Sequence, residues 1–260
     1  MYDLETRRRA LNLVAEGRSL NSVSKQLGVS RASIRSWLIR LDPLPSVVKR
    51  EQCVRCRPQP GMPTAPGAYA YLFGLYLGDG CVSRHHRGNF SLRIACADAW
   101  PGLIAACADA IRAVRPESKV CRVQREGCVA VTSWSVHWPC LFPQHGAGKK
   151  HERRIATDAW QQEILDRHPW PFIRGLIHSD GCRITNWTTR LVAGQRKRYE
   201  YPRYFFSNKS DDIRKLFTDT LDRVGVEWAH GRQRTRGVKN ISVARRASVA
   251  LMDAHVGPKY

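Results

Sequence analysis

The sequence contains few acidic residues for its size. Asp and Glu together number 22 against 43 Lys and Arg, which leaves a formal net charge of +21. Self-repulsion on this scale destabilises a compact chain, so an anionic partner is the simplest reason for it. Nucleic acid is the first candidate for that partner, and an anionic membrane surface is the second.

Long apolar runs are also absent. The longest run, near residues 65–77, is too short to span a bilayer. The first ten residues contain no apolar core of a secretion signal. Nine cysteines are scattered along the chain, and without an export signal we expect them to be reduced thiols. The sequence therefore predicts a cytoplasmic protein with no membrane partner, associated with the nucleoid when it binds DNA.

Residues 1–45 have the spacing of a small all-helical domain. Ser19 can cap one helix, Gly28 can end it, and Ser30 can cap the next. The helical period places one set of apolar residues on an inner face: Val23, Leu27, Val29, Ile34, Trp37 and Leu38. The pattern resembles the helix-turn-helix units of transposases and resolvases. It implies DNA contacts from the second helix, through Ser30, Arg31, Ser33 and Arg35. A helical hairpin within a larger core is the alternative.

Proline and glycine are concentrated between residues 43 and 67, and we place a linker at residues 46–67. This linker contains Cys53 and Cys56, whose Cys-x-x-Cys spacing is half of a zinc site. Candidates for the remaining Zn²⁺ ligands are Cys140, His145 and His151. Two unligated thiols in a loop are an equally good interpretation of the pair.

Two stretches of the main body match each other. Residues 72–81 read LFGLYLGDGC and residues 172–182 read FIRGLIHSDGC, so Asp79 and Asp180 occupy equivalent positions 101 residues apart. Strand-like and helix-like segments follow each motif in the same order, which predicts a tandem repeat. A turn after a helix, used twice in a duplicated fold, is the plainer interpretation of the two Asp-Gly pairs.

The small residues within the two motifs predict how the repeats meet. Gly74 and Gly78 are four residues apart, as are Gly175 and Ser179, so each pair lies on one helix face. Small residues at that interval allow two helix backbones to approach closely. Asp79 and Asp180 would then lie side by side, and two carboxylates in that position favour a bound cation such as Mg²⁺.

The two motifs and the order of their flanking segments resemble the LAGLIDADG proteins of the homing-endonuclease kind. The whole layout, with its helix-turn-helix, resembles actinobacterial proteins of this type. The resemblance implies an α+β fold with two αββαββα repeats, residues 68–155 and 156–260, that form a pseudo-twofold saddle on double-stranded DNA. It also implies metal binding by Asp79 and Asp180, helped by the backbone oxygens of Gly78 and Ser179. We expect a monomer with internal pseudo-twofold symmetry.

Basic residues are concentrated where the second repeat would present two strands. A two-stranded ribbon fits the major groove, and here it combines phosphate-binding charges with base-edge donors. The candidate DNA contacts are Arg183, Arg190, Arg196, Lys197, Arg198 and Arg203. A solvated basic loop is the alternative. A second basic patch includes Lys150, which can neutralise a phosphate near the metal.

These features lead to two functional hypotheses. The first is a divalent-metal-dependent DNA endonuclease in which Asp79, Asp180 and Lys150 carry the reaction. The second is a DNA-binding transcriptional regulator of the WhiA type, in which a LAGLIDADG-like domain joined to a helix-turn-helix binds DNA without cutting. Retention of both aspartates favours the enzyme. An RNA-binding or splicing factor is a third, weaker hypothesis.

Overall fold

A computed structural model describes residues 3–39, 63–85, 88–231 and 239–260. The chain divides into two compact units, residues 1–54 and 55–260. Cys53 and Cys56, and with them the predicted zinc site, lie outside the described residues, as does most of the predicted linker. No helix in the described part of the chain is long and apolar enough to cross a membrane.

The first unit contains three helices: α1 (Leu4–Ala15), α2 (Leu20–Leu27) and α3 (Arg31–Ile39). Ser19 caps α2 by accepting the Ser22 backbone N–H, and Gly28 ends the helix in the left-handed conformation at φ 64°. The helices pack around a core of Ala10, Val23, Val29, Ile34 and Trp37. The predicted small helical domain is therefore present.

Leu38 does not belong to that core. Its side chain is 53% exposed, although the sequence pattern predicted an inner position. A helix turns about 100° per residue, so Leu38 points well away from its buried neighbour Trp37. The expectation for Leu38 was wrong, while those for Val23, Val29, Ile34 and Trp37 are confirmed.

The second unit contains the same succession of elements twice. The first set is α4 (Pro66–Asp79), β1 (Gly80–Arg84), β2 (Phe90–Ala97), α5 (Pro101–Val114), β3 (Val120–Arg125), β4 (Cys128–Ser135) and α6 (Trp138–Leu141). A 3₁₀ turn at Lys150–Glu152 and the helix α7 (Ala159–Arg167) come next. The second set is α8 (Pro169–Asp180), β5 (Gly181–Val192), β6 (Gln195–Asn208), α9 (Asp211–Arg223), β7 (Ala229–His230), β8 (Lys239–Val243) and α10 (Arg246–His255).

Each set builds a four-stranded antiparallel sheet. The strand orders are β1-β2-β4-β3 and β5-β6-β8-β7, so the two sheets have the same topology. One face of each sheet packs against the helices, as the buried residues Leu92 and Ile94 of β2 and Tyr204 and Phe206 of β6 show. The predicted α+β fold with tandem αββαββα units is confirmed.

Helices α4 and α8 meet through their small residues. A Cβ added to Gly74 would lie 2.6 Å from the Phe172 carbonyl oxygen, and one added to Gly175 would lie 2.2 Å from the Tyr71 carbonyl oxygen. These separations are shorter than any van der Waals contact, so only glycine fits at either place. The close approach brings the C-terminal ends of both helices together.

The β5–β6 hairpin extends beyond its sheet. Its strands pair from Gly181 with Phe206 to Val192 with Gln195, whereas β6 pairs with β8 only over 204–208. Ala193 and Gly194, with φ of 50° and 78°, form the two-residue turn that this hairpin requires. Residues 184–203 therefore form a two-stranded ribbon, called the distal ribbon below.

Candidate functional site

The candidate site lies where α4 and α8 end. Asp79 is the last residue of α4 and Asp180 the last of α8. A Cβ on Gly78 would lie 3.1 Å from the Asp180 side-chain Cγ, so the two helix ends touch at this point. The structure thus brings together the two aspartates that the repeated motifs single out.

Two lysines occupy equivalent positions around the aspartates. The Lys150 Nζ donates a hydrogen bond of 2.9 Å to the Gly78 carbonyl, and the Lys259 Nζ donates one of 2.8 Å to the Ser179 carbonyl. Gly78 and Ser179 are the residues that precede the two aspartates. Their carbonyl oxygens, which the resemblance implied as metal ligands, therefore have lysine partners in this structure.

Lys259 was missed in the sequence. It follows α10, the last helix of the second repeat, just as Lys150 follows α6, the last helix of the first. This matched position is the signal that could have identified it. No sequence motif surrounds either lysine, and a lone lysine carries little information in a chain so rich in basic residues.

The environment of the aspartates disfavours their charged forms. Asp79 is exposed on its outer side, yet loss of hydration where it faces the protein raises its pKa, against the opposing effect of Lys259 and Lys150. Loss of hydration and the charge of Asp79 raise the pKa of Asp180 to about 6. The Asn208 amide opposes that shift by donating a 2.5 Å hydrogen bond to Asp180. Two neighbouring carboxylates disfavour each other's charge, and a positive charge beside them relieves this repulsion.

The same surroundings shift the pKa values of the two lysines. Burial lowers the pKa of Lys150 to about 8, although Asp180 and Asp79 act in the opposite direction. Burial also lowers the pKa of Lys259, again against the two aspartates. Two acids and two bases thus form one mutually compensated cluster between the repeats.

The donor set fits a hard divalent cation that shares its coordination with a substrate. Among the described residues, no group of three or more His, Cys, Asp and Glu side chains is arranged to hold a metal. Cys140, His145 and His151 therefore form no metal group by themselves. Mg²⁺ is commonly held by only one or two carboxylates, together with waters and substrate phosphates. Asp79 and Asp180 match that pattern.

Tyr260 anchors the segment that carries Lys259. The Tyr260 carbonyl accepts the Leu103 backbone N–H at 3.0 Å, and its hydroxyl accepts a 3.2 Å hydrogen bond from Arg174. Its ring lies against Gly102, where an added Cβ would be 2.0 Å from the ring carbon Cδ2. A residue that follows the last helix of the second repeat is thereby fixed to α5 of the first.

One candidate DNA contact, Arg183, already pairs with a carboxylate of the protein. Arg183 donates hydrogen bonds of 2.6 and 2.9 Å to the two carboxylate oxygens of Asp253, and the Tyr204 hydroxyl donates to the same carboxylate at 2.6 Å. Arg183 thus ties β5 to α10. Its guanidinium is far less available to DNA than a free basic side chain.

The other candidate DNA contacts of the second repeat lie on two opposite faces of the distal ribbon, because neighbouring side chains of a strand alternate between faces. Arg190 pairs across the hairpin with Lys197, and both lie on the face opposite the buried Tyr204, as Arg203 does. Arg196 and Arg198 lie on the other face, where Arg198 stacks on the exposed Trp187 at 4.9 Å and pairs with Glu200. The sequence treated these basic residues as one group, but the structure presents them on two faces.

In the first unit, the predicted contacts lie at the start of α3. Arg31 and Arg35 are exposed. Ser30 accepts the Ser33 backbone N–H at 3.1 Å, and the two hydroxyls are 2.8 Å apart. Ser30 therefore caps the helix, which leaves the two arginines as its outward-facing cations.

Comparisons with known proteins give distant structural similarities only. No family model and no curated protein sequence matches the chain. The homing endonuclease I-DmoI in complex with DNA and Mn is 15% identical, with a TM-score of 0.48 over 75% of this chain and 98% of that one. I-DmoI with DNA and Ca is also 15% identical, with a TM-score of 0.47 over 74% and 90%. The N-terminal LAGLIDADG domain of DUF199/WhiA is 10% identical, with a TM-score of 0.45 over 76% and 87%.

These similarities are too distant to assign a role to any residue. The LAGLIDADG-like character rests instead on this chain's own repeated motif and on its two equivalent sheets. The same helix ends carry the acids in both repeats, as the motifs predicted.

Proposed function

We propose that this protein binds double-stranded DNA and cleaves its phosphodiester bonds with the help of a divalent cation. One observation carries the proposal: Asp79 and Asp180 end two helices that pack backbone to backbone, and each helix end also holds a lysine. Charged groups held in fixed positions can stabilise the charge that develops on a phosphate.

Each residue of the cluster has a distinct part in this proposal. Asp79 and Asp180 would hold the cation, which when bound activates a water molecule and stabilises the leaving oxygen. Lys150 and Lys259, fixed by the carbonyls of Gly78 and Ser179, place positive charge beside the phosphate. Asn208 keeps the Asp180 carboxylate in one orientation through its hydrogen bond.

Features outside this cluster support the proposal that DNA is the substrate. The net charge of +21 favours a polyanion. The distal ribbon has the two-stranded shape that fits a major groove, and its exposed Arg190 and Lys197 share one face. The first unit would add contacts through Arg31 and Arg35. We further propose that the protein acts as a monomer whose two repeats occupy the two halves of one site.

A DNA-binding regulator that does not cut is the second candidate. The specific observation in its favour is that Lys150 and Lys259 already compensate the two aspartates and already occupy the carbonyls of Gly78 and Ser179. The cluster is therefore complete without a cation and can serve as a purely structural joint between the repeats.

One experiment separates the two candidates. The purified protein is incubated with genomic or randomised duplex DNA in Mg²⁺, Mn²⁺ or Ca²⁺, and any new ends are sequenced. We expect ends at defined sequences in Mg²⁺ or Mn²⁺, and none with a variant that carries both Asp79→Asn and Asp180→Asn. Wild-type protein that shifts the DNA but never cuts it would establish the regulator instead.

A further inference from the structure

The two sheets present very different outer faces. In β2 the buried Leu92, Ile94 and Cys96 alternate with residues that point away from the helices. Cross-strand pairing carries this outer face across the first sheet. We call it the first outer face, and its central residues are Arg93, Ala95, Val123, Ala130, Thr132 and Trp134.

The first outer face has fewer hydrogen-bonding side chains than the second. Its donors and acceptors are Ser83, Ser91, Arg93, Arg125, Thr132 and Trp134, and the remainder of the face is alanine, valine and cysteine. Among the described residues of its strands, only Arg93 and Arg125 carry a charge there. Arg93 is exposed, and it also donates a weak hydrogen bond to the Cys81 sulfur at 3.4 Å. Val123 and Trp134 are 39% and 36% exposed, so apolar atoms form much of this surface.

The second outer face has the opposite composition. It is the face of β5–β8 that lies away from the buried Tyr204 and Phe206, and it continues along the distal ribbon. Its residues on the hairpin that forms the ribbon are Ile184, Asn186, Thr188, Arg190, Val192, Gln195, Lys197, Tyr199, Tyr201 and Arg203. All of them except Ile184 and Val192 end in a donor or an acceptor, and Arg203 lies over Tyr201 at 5.6 Å.

This difference bears on how DNA sequence is read. Base edges in the major groove are distinguished by paired donors and acceptors, such as the amide of Asn against adenine or the guanidinium of Arg against guanine. Alanine and valine side chains make none of these bonds, and the methyl group of thymine is the base feature that they contact. Phosphate contacts fix the position of the protein but carry no direct sequence information.

We infer that the target duplex is read unevenly. The half-site under the second outer face is specified base by base, while the half-site under the first outer face is bound with weaker discrimination, to which thymine methyl groups contribute a larger share. This inference rests on the proposed DNA binding and is independent of cleavage. The substrate is then a duplex with one defined half and one tolerant half.

In vitro selection from a randomised duplex tests the inference. The full chain is bound in Ca²⁺, and the recovered DNA is sequenced until a site emerges. We expect strong base preferences confined to one half of the protected region. In the other half, every single-base change should alter affinity by less than about three-fold, against about ten-fold or more for the preferred bases of the first.

Matched variants assign the halves to the sheets. Asn186→Ala and Arg190→Ala should each relax the preference at positions within the defined half. Arg93→Ala should weaken binding at all sequences alike and leave the selected site unchanged. Replacing thymine by uracil in the tolerant half removes the methyl groups, and should abolish whatever preference for thymine the selection shows there.

The possible results are distinguishable. Equal base preferences in both halves would overturn the uneven reading while leaving DNA binding intact. Footprints that do not extend over the tolerant half would also overturn it, and would make the first outer face a surface for another partner. Failure to recover any enriched duplex, together with the absence of a gel shift on any DNA, would overturn the proposed function itself.

Discussion

Gly74 and Gly175 face each other with no side chain between them, and a Cβ on Gly175 would lie 3.0 Å from the Gly74 Cα. This contact sets the spacing of α4 and α8, and hence of the two aspartates at their ends. We expect Gly175→Ala to force the helices apart and to lower the free energy of unfolding by about 1–3 kcal/mol. Urea unfolding measures the change. Gly146→Ala, whose added Cβ would meet its nearest neighbour at an ordinary 3.6 Å, is the control.

Replacing either aspartate should separate binding from cleavage. We expect Asp79→Asn or Asp180→Asn to reduce cutting to background, because each carboxylate would be a direct ligand of the cation. DNA affinity should change by less than about three-fold, because binding depends on many contacts elsewhere. Nicking and gel-shift assays on the same duplex measure both quantities, with the exposed Asp109→Asn as the control. A variant that cuts at the wild-type rate would remove that aspartate from the proposed site.

Tyr260 is expected to act through Lys259. Tyr260→Ala removes the ring that rests on Gly102, and should slow cutting by about ten-fold or more while DNA affinity stays unchanged. Tyr260→Phe keeps the ring and should restore most of the rate. In a Lys259→Ala background, Tyr260→Ala should have no additional effect on cutting.

A spectroscopic measurement tests this link without relying on cleavage. The lysine side chains can be labelled with ¹³C-methyl groups, and the Lys259 resonance can be assigned by its loss in Lys259→Arg. Tyr260→Ala should move this resonance towards that of a free lysine. An unmoved resonance would show that the Lys259 contact with Ser179 does not need Tyr260.

We expect the first unit to raise the affinity for DNA, while most of the sequence specificity comes from the second unit. Deleting residues 1–45 should weaken binding by roughly ten- to a thousand-fold, because a linked second module raises effective concentration. Arg31→Ala with Arg35→Ala should reproduce much of this loss, since both side chains are exposed on α3. Arg8→Ala with Arg9→Ala removes the same charge from α1 and is the control. Unchanged affinity and footprint after the deletion would assign the first unit to a protein contact.

The Arg183–Asp253 pair should make stability depend on pH. Hydrogen bonds from Arg183 hold the pKa of Asp253 below its ordinary value. A lowered pKa means that the pair stabilises the fold at neutral pH, and that this contribution is lost as the pH falls through the folded-state value. We expect Asp253→Asn to cost about 1 kcal/mol at pH 7, a small value because water reaches the pair. Urea unfolding at pH 7 and pH 3 should show the difference shrinking at the lower pH.

Local patterns predicted much of this structure. The two Asp-Gly motifs and the four-residue spacing of their small neighbours are sufficient to predict the packed helix pair, because both depend on short-range helix geometry. Lys259 could not be found in that way, since its contact with Ser179 joins residues far apart in sequence. Lys197 and Arg198 lie on opposite faces because neighbouring residues of a strand alternate. Which face each of them takes depends on the strand register, and a shift of one residue would exchange the two faces.

Lys259 is the last residue of the cluster to be synthesised, although it contacts the helix ends through Ser179. A growing chain emerges from the ribosome with its N-terminal part first, and domains fold as they appear. Asp79, Lys150 and Asp180 are therefore all made before Lys259, and Tyr260 fixes that lysine only after α5 of the first repeat is in place. A nascent or prematurely ended chain would carry both acids with only one of their two basic partners. The two aspartates therefore gain their second basic partner only when the last part of the second repeat has been made and folded.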